Sequence, residues 1–205
     1  MKLIGPRAAA AAVGFALLTA GCASSGASAN GAGAAGIGGE TSATATAAGT
    51  GDQAPATATT PGTSDQAPAT ATTMICRTEA AAEIDSALGV KATVSSPTWT
   101  DHLYSCTYRY PSGSMQLSVK ELSNSTQTDA YYHQLGVQMG DTGAVMNIGQ
   151  GAFHTTNGSI VVRKDSKVLL VDVTGLPAQF GQPPTTSGNV ALTVAEVILA
   201  CWSGD

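Results

Sequence analysis

The stretch Ala152-Phe-His-Thr-Thr-Asn-Gly-Ser-Ile-Val-Val-Arg-Lys-Asp-Ser-Lys-Val-Leu-Leu-Val-Asp-Val173 decides how the rest of the chain is read. It holds three short runs, Ala152 to Thr156, Ser159 to Lys164 and Lys167 to Val173, separated by Asn157-Gly158 and Asp165-Ser166. Asn-Gly between two such runs is the strongest short hairpin signal, because both central residues of a type I′ turn need positive φ. The segment predicts a three-stranded antiparallel meander. Arg163, Lys164 and Lys167 flank its second turn as solvated hairpin charges.

Upstream, Tyr104, Cys106, Tyr108 and Tyr110 alternate with Ser105, Thr107 and Arg109, a strand with its aromatics on one face. Pro111-Ser-Gly-Ser114 turns the chain, and Met115, Leu117 and Val119 alternate on the return strand. Before this hairpin, Ala80, Ile84, Ala87 and Leu88 recur at helical spacing, and Gly89 stands as a C-terminal cap. After it, Asn124 with Gln127 three residues on reads as a helix start, and Tyr132, Leu135 and Met139 give that helix one apolar side. Downstream of the meander a Pro- and Gly-rich loop, 175–188, leads to Val190, Val194, Val197, Ile198 and Cys201 on one face of a closing helix. This order predicts an α+β domain with helices packed on one face of an antiparallel sheet.

The N-terminal third has a different composition. Lys2 and Arg7 precede an apolar run from Ala8 to Leu18, and small residues lead into Gly21-Cys22. This is the pattern of an export signal, and the run is too short for a spanning helix, which needs roughly 20 apolar residues. Leu17-Leu-Thr-Ala-Gly-Cys22 resembles the lipobox of bacterial lipoproteins, although Thr19 stands where an aliphatic residue is commoner. The resemblance implies cleavage before Cys22, diacylglycerylation of its thiol, palmitate as a lipid chain, and attachment to the extracytoplasmic face of the cell membrane.

From Ala23 to Thr73 the chain is almost wholly Ala, Gly, Ser, Thr and Pro, and the nine residues from Asp52 recur unchanged from Asp65. With Ile37 its only large aliphatic residue, the segment cannot repay the entropy of ordering and reads as a disordered tether, spanning roughly 40 Å as a flexible coil. Its Thr-Pro-Ala composition also suits O-glycosylation. The expected organisation is a signal peptide over 1–21, a lipidated cysteine and tether over 22–73, and a globular domain over 74–205. The domain's charges are few and slightly acidic, which argues against a nucleic-acid partner.

Cys76 opening the first helix, the Ala-Leu-Gly89 stop, the Cys-Thr-Tyr strand at Cys106 and Ile148-Gly-Gln-Gly-Ala-Phe153 before the Val-Val-Arg meander resemble small actinobacterial cell-envelope lipoproteins that carry a domain of unknown function. Cys201 departs from that pattern. With Cys22 acylated, three cysteines allow three single-bridge pairings in an oxidising compartment. The resemblance implies Cys76 with Cys106, leaving Cys201 a buried free thiol. Cys76 with Cys201 is the rival.

No local signature of catalysis stands out. His102, His133 and His154 fall in three separate elements, and the cysteine spacings match no zinc pattern, so neither a metal nor a cofactor is expected. There is no Gly-x-Ser-x-Gly elbow, and Gly149-Gln-Gly151 precedes a strand, as a turn would. Glu79, Glu83 and Asp85 crowd the first helix, whose dipole an acidic start complements. Among the aromatics, Trp99 in a loop beside Pro97 and Tyr131 off the Tyr132 face are the candidates for an exposed binding surface; most of the others fill the core.

Two function classes stay open. One is a non-enzymatic binding or accessory module, displayed on the tether to reach an envelope protein or a small ligand; the other is an envelope hydrolase with a cryptic site. A pocket holding a histidine, a carboxylate and a hydroxyl within hydrogen-bond reach favours the enzyme. An apolar groove without such groups favours binding.

Overall fold

A computed structural model of the chain describes residues 66–202. The expected signal peptide over 1–21, the expected lipidation site Cys22 and the expected tether up to residue 65 lie outside the described residues. A single helical turn, α1 (Thr70–Thr73), runs into a 3-10 turn (Met74–Cys76), so packing starts a few residues before Met74. Ala71 and Thr72 are buried, and Ala69 N–H donates to Glu121 Oε1 at 2.8 Å.

Helix α2 (Thr78–Leu88) ends at Gly89, whose φ of 65° is the left-handed geometry that the sequence foretold. The central hairpin is β3 (Leu103–Tyr110) and β4 (Gly113–Glu121). Two short strands, β1 (Thr93–Val94) and β2 (Thr98–Thr100), pair in succession along the free edge of β3, interrupted near Pro97. An edge is where proline is tolerated, because a ladder N–H is not needed on its outer side.

Helix α3 (Ser125–Met139) starts as the sequence predicts: Asn124 Oδ1 accepts from Gln127 N–H at 2.9 Å, and Gln127 Oε1 accepts from Ser123 N–H at 3.3 Å. The chain then lays down β5 (Asp141–Ala144), β6 (Gly151–Thr155), β7 (Ile160–Lys164) and β8 (Lys167–Asp172). A small hairpin of β9 (Gln179–Phe180) and β10 (Thr185–Thr186) precedes α4 (Ser187–Cys201). The large sheet is antiparallel throughout, in the order β1, β3, β4, β8, β7, β6, β5, with β2 also on β3. α3 therefore carries the chain from the middle of the sheet to its far edge, and the predicted meander returns strand by strand until β8 meets β4.

The first hairpin turn of that meander is not type I′. Asn157 does not have positive φ; Gly158 alone does, at 85°. Gly158 N–H donates to Thr155 O at 3.0 Å and Thr155 N–H to Ser159 O at 2.9 Å, a longer loop closed by a left-handed glycine. The two-residue turn with positive φ at both positions lies instead at Asp101 (51°) and His102 (58°), between β2 and β3.

The α+β class with a large antiparallel sheet is what the sequence implied. The expectation of helices on one face holds for α2 and α4, which share a core with Ile160, Val162, Leu169 and Val171. α3 covers the other face, where Leu135 packs with Phe153, Val161 and Val168. The reason is that β7 and β8 are apolar on both sides, so each face must be covered against water.

Cys76 and Cys106 form a disulfide that ties the 3-10 turn to β3, with Cα atoms 5.9 Å apart. Cys201, expected as a buried reduced thiol, is not free. It is the last residue of α4 and only half-buried, where Val190, Val194 and Ile198 further up the helix are fully buried. Beside the disulfide, the buried Tyr108 hydroxyl donates to Ile75 O at 2.7 Å. Burial pushes its phenol well above the ordinary range, and the charge of Asp85 adds to this. Tyr108→Phe deprives the Ile75 carbonyl of that donor, and urea unfolding should show a loss of about 1–3 kcal/mol with an unchanged m-value.

Candidate functional site

The site grows out of α3. Its inner residues meet the sheet, while Val137 points outward and is 87 % exposed, unusual for a large aliphatic side chain. Between the last turns of α3 and the β5–β6 edge lies an open cavity of about 310 Å³, lined by Tyr132, His133, Gly136, Val137, Asp141 and Phe153. Phe153 is buried and meets the Tyr132 ring edge-on, with centroids 5.0 Å apart. Tyr132 is held from its other neighbours too: the Arg163 guanidinium lies 5.7 Å from its ring centre and is itself ion-paired with Asp129.

Gly136 keeps this cavity open. A glycine within a helix costs up to roughly 1 kcal/mol against alanine, a cost usually explained by tight packing. Here a Cβ would meet the Asp141 Cβ and the Phe153 ring no closer than 3.7 Å, ordinary contact, so packing does not demand glycine. Gly140 contrasts with it: at φ 73° it ends the helix, and a Cβ there would run into Thr156.

The cavity brings a histidine, a carboxylate and a phenol together without connecting them. His133 meets Tyr132 through a ring contact at 5.7 Å, and Asp141 Oδ1 accepts from Gly143 N–H at 2.8 Å. Among the described residues no hydrogen bond joins His133, Asp141 and Tyr132. Desolvation raises the Tyr132 phenol above its ordinary value, with the Asp141 charge contributing, so the phenol stays protonated.

The two residues expected to form a binding surface are placed apart. Trp99 lies in β2 and not in a loop, half-buried opposite Tyr104, with the His102 ring edge-on at 5.6 Å. It shares the α4 face of the sheet with Tyr104 and Cys106. Tyr131 is half-buried on the other face, packed against the cluster of Leu135, Phe153, Val161 and Val168, and burial raises its phenol. His102 sits in the β2–β3 turn, His133 at the cavity rim and His154 in β6, so the histidines are not brought together. Among the described residues no group of His, Cys, Asp and Glu is placed to hold a metal ion, and no helix is long and apolar enough to cross a membrane.

Sequence reasoning missed Gly136, Val137 and Asp141 as site residues. The signal was available in α3 itself: a glycine inside the helix followed by a valine off the apolar side. The fold and cavity define a small α+β domain with a groove between a helix and a sheet edge. No protein-family model matches the chain, and no curated protein or solved structure matches it.

Proposed function

We propose that the protein is a cell-envelope lipoprotein, anchored by a lipid on Cys22, whose tethered domain is a non-enzymatic binding or accessory module. The observation that carries the binding reading is the cavity under α3, which has aromatic and aliphatic walls and polar groups at its rim that no hydrogen bond links into a proton relay. The anchoring reading rests on the basic, apolar and small-residue succession that ends at Cys22, and on a tether whose composition suits reach more than packing.

Anchoring is tested by Cys22→Ala. With the lipid as its attachment the variant leaves the membrane fraction, since stable anchoring needs two or more acyl chains and the domain offers no polybasic patch. Tight membrane association of the variant overturns the lipoprotein reading.

The envelope-hydrolase alternative has one observation in its favour: His133, Asp141 and Tyr132 line one cavity. Substituting His102, His133 and His154 together by Gln discriminates the two, because Gln keeps a neutral hydrogen-bonding group at the cavity rim but cannot take up or release a proton. A binding module still complements a deletion strain; a folded triple variant that fails to complement puts the hydrolase first.

A further inference from the structure

We infer that the cavity under α3 takes the end of an aliphatic chain bearing a primary ammonium group, as a lysine side chain or a free alkylamine presents it. This rests on the binding reading above and names the ligand chemistry. The cavity wall is largely apolar. Tyr132 and Phe153 supply aromatic surface, Val137 an exposed aliphatic lip, and Gly136 an open floor where a side chain would otherwise stand. A short methylene stem fits such a slot of about 310 Å³.

The charge of the site selects the head group. Gly136 and Val137 belong to the last turn of α3, the negative end of the helix dipole, where proteins usually place Lys or Arg. No basic residue stands there, and the next charged residue, Asp141, is a second negative group. Asp141 spends Oδ1 on Gly143 N–H, and among the described residues no hydrogen bond engages Oδ2. The nearby cation, Arg163, is committed to Asp129 and to the Tyr132 ring. The cavity thus sets the Asp141 carboxylate and the carbonyl end of α3 beside an aromatic wall, an arrangement that favours a cation. A carboxylate or phosphate would be repelled, and a neutral alkyl chain would leave the charge unanswered.

The experiment uses the full chain carrying Cys22→Ala, so that alkyl probes meet no detergent. Hexylamine, hexanol, hexanoate and Nα-acetyl-lysine methylamide are titrated while the Val137 methyl and Gly136 amide resonances are followed. Hexylamine should shift these signals and bind at least about tenfold more tightly than hexanol or hexanoate, the fold-change of one charge-assisted contact. Asp141→Asn keeps an acceptor for Gly143 and should erase that preference. Gly136→Leu should abolish binding while the melting midpoint is retained.

Equal affinity for the lysine derivative points to a peptide side chain as the natural source, and weaker affinity points to a free amine; either supports the inference. Hexanol binding as well as hexylamine, indifference to Asp141→Asn, or no shift at Val137 and Gly136 overturns it. Those results leave the anchoring test and the triple-histidine test untouched, so failure of the ligand assignment is distinguishable from failure of the binding-module reading.

Discussion

Phe153→Ala is expected to lower the unfolding free energy by about 3–5 kcal/mol, as truncation of a large, fully buried aromatic does when the surroundings relax only partly. Phe153 is 1 % exposed, sits on β6 between β5 and β7, and packs with Leu135, Val161 and Val168. This is the smaller of the two cores, so α3 has few other contacts to hold it. The consequence should therefore be larger on α3 than on the rest of the domain. Thermal unfolding should shift down by on the order of 10–20 °C for a domain of this size. Native-state hydrogen exchange should show amides of α3 losing more protection than those of α4. Equal loss in both helices would mean that the two faces of the sheet are one cooperative core.

The second large effect concerns the Cys76–Cys106 bridge. It closes a loop across a sequence separation of 30 residues, and on the chain-entropy model its removal by Cys76→Ala with Cys106→Ala costs roughly 3–4 kcal/mol. The loss should appear mainly through the unfolded state, as a lower denaturation midpoint with near-native spectra below it. Non-reducing peptide mapping should recover the Cys76–Cys106 linked peptide; a Cys76–Cys201 peptide would contradict the geometry. Tyr108 keeps its bond to Ile75 in the double variant, so the 3-10 turn retains one attachment to β3.

Much of the domain was legible because its signals are local. Gly89 ends α2, and Asn124 with Gln127 starts α3, because helix ends leave backbone groups that only nearby residues can satisfy. The alternation of Tyr104 to Tyr110 and of Met115 to Val119 produced β3 and β4 at their predicted places. β1, β2, β5, β9 and β10 were not legible. Thr98-Trp-Thr100 is too short to show a period, and Asp141-Thr-Gly-Ala144 has no apolar alternation and Thr142 as its one strand former. β1, β2 and β5 exist because a longer neighbour offers each a ladder of hydrogen bonds, and the two-residue β9 and β10 pair only with each other.

The chain by itself determined the elements with repeating apolar residues, their order and the export-like N-terminal pattern. Only the tertiary structure decided that α3 crosses to the opposite face from α2 and α4, because one apolar stripe on a helix does not say which side of a two-faced sheet it will cover. The same step decided the candidate site. Tyr132, Gly136 and Val137 are neighbours on one helix, but Asp141 and Phe153 join them only through the turn at Gly140 and the pairing of β5 with β6. Sequence spacing fixes which residues share a helix face. Where that face comes to rest is set by burial of the whole sheet, a sum over residues far apart in the chain.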